Sequence, residues 1–173
     1  EELRRQRIPI QHTVDYAVLR RRYLHPREWP RFMARLWHGS RDLARWMRAK
    51  RVQVVHANTV AVWGGALAAK LAHVPLVWHV HEIITEPWWL RWLIARLVIG
   101  MADRVVAISR PVAEHLLATG CASRTRAKVT IIPNAVDTQY FHPASDGTAA
   151  RAAWDIASNQ VLVGVVGRVS TWK

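Results

Sequence analysis

The stretch VPLVWHVHE, residues 74–82, is apolar at nearly every step until it reaches two histidines and a glutamate. A strand with one solvated face alternates apolar and polar residues, whereas a strand buried on both faces reads as a continuous apolar run. Residues 76–81 follow the second pattern, with Pro75 at the start, where a strand tolerates proline. His79 and His81 lie two apart, so their side chains share one face of the strand.

Working outward, VQVVHA (52–57), DRVVAIS (103–109), KVTIIP (128–133) and QVLVGVVG (160–167) read the same way, as short buried strands. Helical patterns separate them. Between 31 and 50 the apolar residues fall at 32, 36, 43 and 47 with a basic opposite face. GGALAAKLAHV (64–74) and the Trp-rich run at 88–101 follow, then a helix with Pro111 in its first turn and a short helix near 148–154. Strands alternating with helices predict an α/β fold, a parallel sheet with helices on both faces. Ligands in such sheets lie beyond the carboxyl ends of the strands, which selects Ala57-Asn58, His81-Glu82, Ser109 and Gly167-Arg168.

The loop IIPNAVDTQYFHP (131–143) has two prolines, an asparagine and an aspartate and no periodicity, so it reads as linker. The expected organisation is a first domain over 1–133, a linker over 134–147, and the opening of a second α/β domain over 148–173. Glu1 stands where a native start has Met, and Lys173 follows a strand that ought to feed a loop and a helix. Both ends are therefore expected to be cut.

At 173 residues the chain has room for one full domain, and 51% hydrophobic content excludes wholesale disorder. Cys121 is the only cysteine, which excludes an intrachain disulfide and a cysteine-based zinc site. The longest apolar stretch, 88–102, has 15 residues and is broken by Arg91 and Arg96, too short for a membrane span. A cytoplasmic location follows as the expectation. Charge is uneven: residues 1–51 hold 14 Lys/Arg against 5 acids, residues 52–173 hold 11 against 7. A basic segment interleaved with Trp and Tyr attracts polyanions, either anionic lipid headgroups or nucleic acid. No recognition motif for nucleic acid accompanies the charge, so none is expected as a partner.

Four motifs in order carry a resemblance. VPLVWHVHE has the Pro-led run ending in His and an acid; ADRVVAIS has an Asp, an apolar run and a Ser. IPNAVDTQYFHP matches a linker of the form I-P-N-G-V-D-x-x-x-F-x-P, and GRVSTWK matches G-R-(x4)-K-G up to its last residue. Together they resemble the retaining GT-B-fold glycosyltransferases of the group 1, or family 4, type. The resemblance implies a Rossmann-like acceptor-side domain, a hinge, and a chain cut just inside the donor-binding domain, without the family's first strand and Gly-rich loop. The family's paired-glutamate donor element would lie beyond Lys173, and the fragment alone would be inactive.

The resemblance also implies roles. Transfer from a nucleotide sugar expels a diphosphate, and fixed cations stabilise its growing charge. Arg168 and Lys173 would be those cations, against a plain reading as surface residues. His81, with Glu82 beside it, would flank the transferred sugar; ordinary buried histidines and a two-ligand metal site compete for His79 and His81, but no third ligand is nearby in sequence. Asn58, Gly64 and Gly65 would line the acceptor cleft, with close packing as the glycines' other reading. Ser109 would cap its helix or touch the cleft, and Asn134 would border the crevice. Ala135 stands where the family has glycine, so a positive φ there would be strained.

The function implied is transfer from a nucleotide-sugar donor to a glycan or lipid-linked acceptor in cell-envelope or exopolysaccharide synthesis, without metal or cofactor. Residues 20–51 and 88–100 would suit peripheral docking on the inner face of the plasma membrane, against a bland reading as a solvated arginine face plus a core helix. A sugar-nucleotide epimerase of the same architecture and a non-catalytic basic membrane- or polyanion-binding domain are the alternatives.

Overall fold

The computed structural model describes residues 18–19, 23, 25–85, 87–118, 126–144 and 146–167. The chain divides into two compact units, Glu1–Asn134 and Ala135–Lys173.

In the first unit a 3-10 turn at Pro26–Glu28 leads into helix α1, Trp29–Ala49. Then follow strand β1, Val55–Ala57; helix α2, Trp63–Ala72; strand β2, Leu76–Val80; and helix α3, Trp88–Met101. Strand β3, Arg104–Ala107, helix α4, Arg110–Leu117, and strand β4, Val129–Ile131, complete it. The strands lie in the order β1-β2-β3-β4 and every pairing is parallel. This is the α/β, Rossmann-like arrangement that the apolar runs predict.

Each crossover moves one strand along in the same direction. Right-handed connections then bring α2, α3 and α4 to one face of the sheet. Burial agrees: Leu76, Trp78 and Val80 alternate with less buried neighbours along β2, and Val105 and Ala107 do so along β3. The registers Trp78↔Val105 and Val80↔Ala107 put these side chains on one surface. There they pack with Ala66 and Ala69 of α2, Ile94 and Val98 of α3, and Val112 and Leu116 of α4. Helical cover, expected on both faces, is seen on this one among the described residues. The other face presents His56, Val77, His79, Val106 and Thr130, all exposed or half-buried.

α1 lies against α2 through small side chains. Ser40 is fully buried and donates its hydroxyl to the Gly64 carbonyl at 3.1 Å, and Ala44 packs in one cluster with Ala68. Both helices end on a residue in the left-handed region, Arg51 at φ 52° just beyond α1 and His73 at φ 58° closing α2. The α3 C-terminus is closed by the Lys128 ammonium, which donates to the carbonyls of Ile99 and Ala102, where a cation also meets the negative end of the helix dipole.

In the second unit Asp137 organises the linker motif. Its carboxylate accepts from the backbone N–H groups of Gln139 and Tyr140, and its carbonyl accepts from Phe141 N–H at 2.8 Å. Helix α5, Thr148–Ala153, matches the short helix expected at 148–154. The strand expected over 160–167 is not formed: Val161, Val163, Val165 and Val166 are exposed and make no ladder. An apolar run becomes a strand only when a neighbour takes its N–H and C=O groups, and the described residues of this unit contain no such neighbour.

Candidate functional site

β1 and β2 end side by side, and the polar residues that follow them meet. His81 Nε2 lies 3.0 Å from Asn58 Oδ1, which fixes the imidazole's orientation at the mouth of the sheet. Glu82 turns back toward the β1 end. One of its carboxylate oxygens accepts from the Thr59 hydroxyl; the other accepts from Val60 N–H at 3.2 Å and His81 N–H at 3.3 Å. Trp78 secures the same loop from below, donating its indole N–H to the Thr59 carbonyl at 2.8 Å. The loops after two neighbouring strands are thus clamped by one carboxylate and one indole. What remains free to face a ligand is the Asn58–His81 pair.

A column of imidazoles runs beneath that pair. His56 and His79 stack with centroids 5.4 Å apart and planes 16° from parallel, and His79 meets His81 at 4.4 Å. Burial, and then the neighbouring His81 and His56, hold His79 below its ordinary value near 6.5. Its Nε2 is buried without a hydrogen-bond partner among the described residues. Nowhere among the described residues do three His, Cys, Asp or Glu side chains gather in a way that would hold a metal ion.

The other expected site residues are more dispersed. Ser109 is the N-cap of α4, its hydroxyl accepting from Val112 N–H at 3.4 Å, as its capping reading has it. Gly64 is buried in the first turn of α2 with its carbonyl turned to Ser40 of α1. A Cβ on Gly65 would meet Val62 Cγ1 at an ordinary 3.5 Å. Asn134 is exposed beyond β4, and Ala135 is not among the positive-φ residues. Arg168 and Lys173 lie outside the described residues.

Two residues that matter here escape sequence reasoning, and a third, read from its motif, has partners that the sequence does not show. Thr59 and His56 become partners of Glu82 and His79 only through the parallel register of β1 and β2, which no single segment reveals. Asp103, the acid of ADRVVAIS, accepts from Leu76 N–H at 2.8 Å and from the Lys70 ammonium at 3.0 Å. Those bonds, the backbone one foremost, hold its carboxyl below the usual range, so the motif's acid ties the start of β2 to α2 rather than facing a substrate.

A parallel sheet with its polar residues collected at the carboxyl ends of the strands defines a Rossmann-like ligand-binding domain of the kind that forms part of a GT-B fold. The family description Glycosyltransferase Family 4 matches residues 3–140, and the chain belongs to that family. Among solved structures it is similar to a glycosyltransferase from Rickettsia africae ESF-5, at 20% identity and a TM-score of 0.64 over 91% of this chain. It is also similar to Anabaena Alr3699/HepE in complex with UDP-glucose, at 21% identity and a TM-score of 0.60 over 91% of this chain. The chain spans 39% of the length of each, and at these identities the likeness speaks for the fold. No curated protein matches the chain.

Proposed function

We propose that the intact protein transfers a sugar from a nucleotide-sugar donor to a glycan or lipid-linked acceptor with retention of anomeric configuration. The carrying observation is the 3.0 Å contact between Asn58 and His81 at the ends of adjacent strands, in a chain of glycosyltransferase family 4. Anabaena Alr3699/HepE, of similar fold, is described with UDP-glucose, which supports a nucleoside diphosphate sugar as the donor class.

In this reading His81 flanks the transferred sugar and Asn58 holds its ring. Glu82 is a positioning residue, since its oxygens are occupied by Thr59, Val60 and His81 N–H. Asn134 borders the crevice, Arg168 and Lys173 neutralise the departing diphosphate, and no metal is assigned to that task. The exposed arginines of α1 and the exposed tryptophans Trp88, Trp89 and Trp92 of α3 support peripheral contact with the anionic inner face of the plasma membrane, in service of envelope or exopolysaccharide synthesis. No helix among the described residues is long and apolar enough to cross a membrane.

The test is a panel of UDP-, GDP- and ADP-sugars offered to the full-length protein with lipid-linked and free glycan acceptors, the product's anomeric configuration being read by NMR. Transfer with retention is expected. Inverted product would remove the mechanism, and epimerised donor without transfer would remove the activity.

A further inference from the structure

The helices on the covered side of the sheet leave space between them. Phe32 and Leu36 of α1, Trp63 and Leu67 of α2, and Leu90 and Ile94 of α3 contribute to the lining of a cavity of about 300 Å³. Every lining side chain is aliphatic or aromatic; the only nitrogens they carry are the indoles of Trp29 and Trp63, and that of Trp63 is buried without a hydrogen-bond partner among the described residues. A buried water needs two or more such partners, and an apolar cavity of roughly 150 Å³ stays dry and takes up a benzene-sized ligand. This one has about twice that volume and asks for a longer hydrocarbon.

Its mouth can be located. Met33 and Leu97 line the cavity and are also 49% and 38% exposed. Nearby on the same two helices stand the exposed indoles of Trp37 and Trp92, each under a guanidinium: Arg41 is 5.7 Å from the Trp37 ring and Arg96 is 4.7 Å from that of Trp92. α1 adds exposed Arg31, Arg35, Arg45 and Arg48, of which Arg31 pairs with Glu28 at the helix N-cap, Arg45 pairs with Asp42 and Arg48 donates to the Leu71 carbonyl. An apolar slot beside aromatic rings and arginines is complementary to a molecule with a hydrocarbon tail and an anionic head. A second copy of the chain is disfavoured as the occupant, because it would set one arginine-rich face against another in a protein of net charge +13.

We infer that this cavity holds one acyl tail of an anionic membrane phospholipid, with the headgroup phosphate among the arginines of α1 and α3. The inference rests on the membrane contact proposed above and names the site through which it acts. α2 and α3 start just beyond the carboxyl ends of β1 and β2, so Trp63 and Leu90 bring one part of the cavity lining near the end of the sheet that carries Asn58 and His81.

The test uses the full-length protein and phosphatidylglycerol–phosphatidylcholine vesicles in which the phosphatidylglycerol carries a diazirine at the end of one acyl chain. Binding is read by co-sedimentation, and carbene adducts are mapped by peptide mass spectrometry after photolysis. Adducts on Leu67 and Ile94 are expected, with binding about tenfold weaker on phosphatidylcholine alone. In a Leu67→Phe/Leu93→Phe variant that keeps its circular dichroism, those adducts should disappear while salt-sensitive vesicle binding persists. Binding with adducts confined to Trp88, Trp89 and Trp92 would overturn the tail site and leave the membrane contact standing. Absence of vesicle binding would overturn both, and a dimer that vesicles do not dissociate would assign the cavity to a second copy. Transfer to a water-soluble glycan acceptor tests the glycosyltransferase reading separately.

Discussion

Glu82 shows how a residue's chemistry is decided by what already touches it. A carboxylate accepting three hydrogen bonds from one hydroxyl and two backbone N–H groups is committed to holding the β1 and β2 loops together. Glu82→Gln replaces one acceptor oxygen with a donor and sets it against an N–H or O–H that needs an acceptor. A loss of about 1–3 kcal/mol in urea unfolding is expected. His79 supplies a pH test. Its proton affinity is depressed in the fold, so the unfolded chain binds the proton more readily, and stability present above pH 6.5 should decline as pH falls through the folded value. The melting temperature should drop on acidification, and His79→Gln should flatten that slope. Arg51 and His73 sit at positive φ where glycine is at ease, so Arg51→Gly and His73→Gly should each raise stability by about 0.5–1 kcal/mol. None of these three features is visible in the sequence, because each arises from register or a local dihedral rather than from residue type.

At the scale of elements, much was legible. Continuous apolar runs marked β1 to β4, helical spacing marked α1, and Pro111 lies within the first turn of α4. The run at 160–167 read identically and formed no strand, since periodicity records a preference for burial and says nothing about the neighbour that must supply it. The α1–α2 contact was also hidden. It depends on Ser40 and Gly64 being small enough for two backbones to approach, a fact about two segments 24 residues apart. Ser40→Leu should force the helices apart at a cost of about 1–3 kcal/mol, measurable by chemical denaturation. Ser40→Ala should cost about 1 kcal/mol through the lost bond to the Gly64 carbonyl.

At the largest scale, the first unit collects polar side chains at one end of its sheet and packs its apolar bulk on one face of it. The family could be read from four short motifs, and the three that lie among the described residues each mark a backbone need. Asp103 ties β2 to α2, Asp137 shapes the linker turn, and His81-Glu82 closes the loop after β2. The pairing of Asn58 with His81 was harder to see, since the two lie 23 residues apart at the ends of neighbouring strands. The direct measurement is the turnover of nucleotide sugar by the full-length protein carrying His81→Ala or Asn58→Ala, with melting temperatures checked alongside. If the pair flanks the transferred sugar, kcat should fall by about 10²-fold or more in His81→Ala and less in Asn58→Ala, with both variants folded. Unchanged turnover in a folded His81→Ala protein would contradict the assignment of this site.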